Sequence, residues 1–211
     1  MRFRAKFTKE GNIKFVGHLD TVRLFQRAIK MAKIPIAYSE GFNPHSKVYF
    51  GLPLPVGMES EGEYLEIKTK ENIDVSTAKD QLNNKLPEGI TLTECFEIED
   101  NTPTLMSQVD SAIYEIEINQ DICKETILEK LEQPSIVVTK RNKKKKFVQQ
   151  EIKPLILHYD IHKKSGQTII STKIKAGSRS NLSPEILMKA IFSDELSNLE
   201  YKIKRKELFL V

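Results

Sequence analysis

The apolar residues of this chain switch spacing between two and about 3.6 in an order that is run through twice, and that order restricts the fold more than any motif. In the first half, residues 2–6 alternate and put Phe3, Ala5 and Phe7 on one face; 13–16 continues or pairs with that strand after the turn at Glu10-Gly11-Asn12. A helix is predicted over 19–33, ending before Pro35, whose ring disfavours helical geometry at the preceding residue. Strands follow at 47–51 and 64–68, separated by Leu52-Pro53-Leu54-Pro55-Val56-Gly57, where two prolines forbid regular pairing. Val75, Ala78, Leu82 and Leu86 stand at helical spacing within 74–86, Pro87-Glu88-Gly89 stops that helix, and 90–98 is a strand.

The second half repeats the order with different residues: strand 112–118, helix 121–132, a β-branched strand at 135–140, a hairpin of 152–162 and 167–175, helix 183–192 and a final strand over 199–211. Ser183 suits an N-cap and Pro184 the first helical turn. Each half therefore fits βαββαβ. The expected fold class is α+β, with two tandem ferredoxin-like domains, antiparallel sheets, and an extra strand in the second domain as an edge or extension. The expected domains are 1–100 and 109–211, and the polar segment 99–108, which contains Pro103, is the linker.

Length agrees with two domains, since 211 residues exceed the usual single-domain size of roughly 100–150. An apolar share of 39% against 29% charged suits a folded globule rather than a disordered tail. No apolar run approaches the roughly 20 residues that cross a bilayer, so a cytoplasmic protein without membrane attachment is expected. Cys95 and Cys123 have no second cysteine or histidine at ligand spacing. Both are read as core thiols, and no metal, iron–sulfur cluster or other cofactor is expected.

The net charge of +4 is mild, but its distribution is uneven. Six cations fall within 140–146, in Lys140-Arg141-Asn142-Lys143-Lys144-Lys145-Lys146, which makes either a solvated hairpin tip or a phosphate-contacting loop through Lys143, Lys144 and Lys145. The first helix carries Arg23, Arg27 and Lys30 at i, i+4 and i+7, opposite an apolar stripe of Val22, Phe25, Ile29 and Ala32. Asp20 is the one acid near that ridge.

Two short blocks bracket this helix. Lys14-Phe15-Val16-Gly17-His18-Leu19-Asp20 leads into it, and places His18 where an anion or a reacting hydroxyl meets the positive helix end; His18 and Asp20 are equally readable as caps. Tyr38-Ser39-Glu40-Gly41-Phe42-Asn43-Pro44-His45-Ser46-Lys47 is a long irregular segment with Asn43, His45 and Lys47, in the kind of loop where binding residues concentrate. Its glycine and proline also fit plain turn chemistry.

The run KFVGHLD, the helix with Arg23, Arg27 and Ala28, and YSEGFNPHSKVYFGLPLPVGMESEGEYLEI together resemble the radical-SAM-linked protein family. The resemblance is specific over 1–68 and looser beyond. It implies a domain that accompanies, or is fused to, a cobalamin-binding radical SAM protein and that has no established activity of its own. Because the cluster cysteines of a radical SAM enzyme are missing here, the radical chemistry falls to a separately encoded partner.

Three functions follow as expectations. The first is a non-catalytic partner of a radical SAM enzyme that binds or presents RNA through Arg23, Arg27, Lys30, Asn43, His45, Lys47 and the lysine-rich loop. The second is a metal-independent endoribonuclease, with His18 or His45 as acid or base and Lys47 or Tyr38 stabilising charge on the scissile phosphate. The third is a protein-interaction module that docks through Phe42, Tyr49, Phe50 and Leu52.

Overall fold

The computed structural model describes residues 1–141 and 146–211. Strand β1 is Arg2–Lys9, helix α1 His18–Met31, β2 Val48–Phe50, β3 Glu59–Lys68, α2 Val75–Asn83, β4 Ile90–Ile98 and α3 Leu105–Gln108. Then come β5 Val109–Ile118, α4 Lys124–Leu131, β6 Val137–Arg141, β7 Phe147–Glu151, β8 Ile156–Lys164, β9 Gln167–Lys175, α5 Pro184–Phe192 and β10 Tyr201–Leu210. The protein is α+β, and its main sheet is mostly antiparallel.

Two compact units divide the chain: Met1–Val109 with Arg205–Val211, and Asp110–Lys204. The sequence order puts Arg205–Val211 in the second domain, whereas it belongs to the first unit; β10 is ten residues long, enough to begin in one unit and end in the other. Within the first unit, strand neighbours run β4-β1-β3-β10, and β2 also pairs with β3. In the second they run β10-β5-β9-β8.

One sequence expectation fails locally, and one alternative left open is decided for the extension over the edge strand. Residues 11–15 form a single 3-10 turn rather than a strand, since Ile13 and Val16, three apart, share one side of a tight turn. The extra strand of the second half is no edge strand of the main sheet. β6 pairs with β7 in a separate two-stranded sheet, whose base is pinned by the Glu151 carboxylate accepting from the backbone N–H groups of Ile136 (2.8 Å) and Lys153 (2.9 Å).

The first unit explains its own layers. Alternation along β1 sends Phe3, Ala5 and Phe7 into a core with Phe25, Ala28 and Ile29 of α1, Ala78 and Leu82 of α2, Leu65 and Ile67 of β3, and Ile90 and Leu92 of β4. The same alternation sends Arg2 and Arg4 to the other face, where Arg4 stands directly opposite Glu66 on β3. Glu66 binds Arg2 through Nη2 (2.7 Å) and Nε (3.0 Å) and Arg4 through Nε (3.2 Å). The remaining guanidinium donors reach the carbonyls of Glu99, Asp100, Thr102 and Pro103. Two buried arginines thus fasten the 99–103 segment over this face.

Candidate functional site

The groove beside α1 is built from the helix end outward. Arg23, Arg27 and Lys30 line a cleft of about 630 Å³ and are joined there by Lys33, Lys70 and His45. Lys33 follows the helix with φ 56°, the left-handed conformation common just past a helix end, and its N–H donates to the Lys30 carbonyl at 3.1 Å. Cations here also favour the negative end of the helix dipole, which accounts for part of their placement. Arg23 pairs with Asp20 at 2.8 Å, but Arg27, Lys30 and Lys33 have no ion pair among the described residues. No carboxylate among the described residues lines the cleft.

The opposite wall is the foot of the long loop. Tyr38 bridges to Ser46, the Ser39 N–H donates to the His45 carbonyl (2.8 Å), and the His45 N–H donates to the Ser39 hydroxyl (2.9 Å). The Gln26 side chain donates to the Ser46 hydroxyl at 3.0 Å, which ties that foot to α1. Lys70 lies over the Tyr38 ring, 5.8 Å from its centroid. Asn43 sits at the exposed tip with Phe42 and lines no described cleft.

A second cleft, about 750 Å³, opens beside β2. Lys47 and His18 belong to it and not to the cationic groove. The sequence candidates therefore fall into two sets: Arg23, Arg27, Lys30 and His45 come together, while His18 and Lys47 meet in the adjoining cleft. Lys143, Lys144 and Lys145 lie outside the described residues. Lys33 and Lys70 were missed because neither belongs to the i, i+4, i+7 ridge: Lys33 ends the predicted helix and lies just past α1, and Lys70 follows β3 outside a periodic element. Glu66 and Arg2 were legible as the outward positions of alternating strands, but nothing in the spacing shows that the 99–103 segment would cover them.

His18 also walls a small inner chamber with Lys9 and Glu63. The Lys9 ammonium donates to the Val16 carbonyl at 2.5 Å. Burial lowers the Lys9 pKa against the pull of Glu63; burial and then the Lys9 charge hold that of His18 below its ordinary 6.5. The His18 ring stands edge-on to Phe50, with centroids 5.5 Å apart. A histidine with a depressed folded pKa binds fewer protons in the native than in the unfolded chain below its ordinary value. Stability is thus expected to fall as pH drops below about 6.5, and His18→Gln should flatten that limb in urea titrations across pH.

Cys123 is exposed at the start of α4, with its thiol 2.7 Å from a Glu125 carboxylate oxygen, and is not the core thiol expected; Cys95 is half-buried. Among the described residues no cluster of His, Cys, Asp or Glu could hold a metal ion, and no helix is long and apolar enough to cross a membrane.

Residues 2–184 match the family described as "Uncharacterized protein conserved in bacteria (DUF2344)". The chain belongs to this family. No protein of curated function matches it. Among solved structures, a chain in the crystal structure of a Cbf5-Nop10-Gar1 complex is similar, with a TM-score of 0.51 at 8% identity over 98% of this chain and 48% of that one. This chain spans about half of that one, and the likeness at such identity concerns the fold alone. The crystal structure of an unknown protein from Galdieria sulphuraria aligns over 97% of both chains at 11% identity, but its TM-score of 0.28 carries no argument.

Proposed function

We propose that this protein is a non-catalytic, cytoplasmic partner of a separately encoded radical SAM enzyme, and that it binds the RNA on which that enzyme acts. The observation that carries the RNA part is the groove: Arg27, Lys30, Lys33 and Lys70, joined by Arg23, which alone of the five pairs with an acid, and with no lining carboxylate among the described residues. An ordinary solvated helix face interleaves acids, whereas a polyanion needs an unopposed row. Support for the enzyme partner comes from the resemblance of the two blocks. The same reading takes both units as ferredoxin-like: the order β1-α1-β2-β3-α2-β4 with neighbours β4-β1-β3 and β2 on β3 fits it, as does β10-β5-β9-β8 with the β6–β7 hairpin inserted.

The endoribonuclease reading gains less, because His18 and His45 line different clefts. The test is a salt titration of binding to a short single-stranded RNA. Arg27→Gln/Lys30→Gln/Lys33→Gln is expected to weaken binding and to reduce the slope of log affinity against log salt by about 2, at roughly 0.7 per lost phosphate contact. An unchanged slope, or no RNA binding by the parent chain, removes the RNA reading. Co-purification from native cells that recovers no radical SAM protein removes the partner reading.

A further inference from the structure

Beside the cationic groove, the cleft at β2 has a different chemistry. Tyr49 and Met106 line it and are 51% and 55% exposed, which leaves an aromatic face and a thioether open to solvent. Polar groups stand among them: the His18 ring edge-on to Phe50, Thr102, Thr104 and Lys47, which makes no ion pair among the described residues. Glu66 and Asp100 also line the cleft, but Glu66 is neutralised by Arg2 and Arg4, and Asp100 lies 3.8 Å from Lys68. Its volume, about 750 Å³, falls within the range of small-molecule sites.

The two clefts are neighbours along the chain. Val22 lines the β2 cleft and Arg23 the groove; Lys47 lines the cleft and Ser46 the groove. The Gln26–Ser46 hydrogen bond stands on the groove side of that divide. A strand whose phosphates follow Arg27, Lys30 and Lys33 therefore has a partly apolar recess within reach of its bases.

From this, resting on the RNA reading above, we infer that the β2 cleft receives one unstacked base of the bound RNA. Tyr49 is its stacking platform, and the His18 ring offers a hydrogen bond to the base edge. Aromatic stacking on a splayed base tolerates any sequence, so the cleft selects for an unpaired nucleotide more than for its identity. That property suits a subunit presenting a base to another enzyme.

The experiment compares a short single-stranded RNA carrying one 2-aminopurine with an oligomer of the same length whose residues are all abasic, and uses inorganic polyphosphate as a backbone-only probe. Tyr49→Ala is expected to weaken binding of the 2-aminopurine RNA roughly tenfold, to leave the abasic RNA and polyphosphate as in the parent, and to keep the salt slope. Tyr49→Phe, which keeps the ring, should bind like the parent. Equal loss on all three probes, or no loss on any, overturns the base cleft while groove-dependent, salt-sensitive binding leaves the RNA reading standing. No RNA binding by the parent chain overturns both. Tight binding of free AMP, UMP, CMP or GMP that is indifferent to the groove variant makes a mononucleotide the ligand and overturns the strand assignment.

Discussion

Replacing Glu66 with alanine is expected to cost about 3–5 kcal/mol of stability, the range for removing one member of a buried ion cluster. Glu66 is 3% exposed and is the only acidic partner that Arg2 and Arg4 have among the described residues. Without it, two largely buried guanidinium groups keep only carbonyl partners, and their hold on 99–103 slackens. Urea unfolding followed by circular dichroism gives the magnitude. Hydrogen exchange on 99–104 gives the second consequence, since that segment walls the β2 cleft. A loss below about 1 kcal/mol would mean that the arginines find water in the folded state and that the cluster is not a closed one.

The second large effect concerns Arg205. Its Nη1 donates to both carboxylate oxygens of Glu63, at 2.8 and 3.0 Å, in a pair that is almost completely buried. Arg205→Met strands the carboxylate and should also cost about 3–5 kcal/mol. The sign of its pH dependence follows from burial, which pushes the Glu63 carboxyl above its ordinary 4.5 while Arg205 pulls it down. Once the arginine is gone, the folded value lies higher still. A raised carboxyl contributes full stability below its unfolded value and loses it as pH rises through the folded value. The deficit of Arg205→Met should therefore be small in mild acid and full near neutral pH. Adding Glu63→Met should recover most of it, because a buried pair exchanged whole for apolar side chains is close to neutral. Urea titrations of the single and double variants at several pH values decide the matter; a pH-independent deficit would show that Glu63 finds another cation, with Lys9 the nearest candidate.

The order of strands and helices was legible because period-two and period-3.6 patterns differ plainly in stretches such as Phe3-x-Ala5-x-Phe7 or Val75-x-x-Ala78-x-x-x-Leu82. What failed was decided by short or shared elements. Ile13 and Val16 carry too little pattern to distinguish a tight turn from a strand. The β-branched run before the lysine-rich loop has strand propensity, but propensity does not say which sheet a strand joins. For the site, Arg23, Arg27, Lys30 and His45 meet because helical periodicity and a closed loop foot bring them to one cleft. Lys47 falls on the other side because consecutive residues of an extended segment point to opposite faces. Tyr49 reads from the sequence as a docking residue; that it lines the β2 cleft is visible only in the structure.

The membership of Arg205–Val211 in the first unit bears on the timing of folding. Glu63 and its counter-ion are 142 positions apart. During synthesis the first unit emerges with its carboxylate unpaired and the β10 side of β3 open, and it stays so until Arg205–Val211 has left the ribosome. A nascent chain stalled anywhere in Asp110–Lys204 should therefore present a first unit that is protease-sensitive, and emergence of Arg205–Val211 should close it.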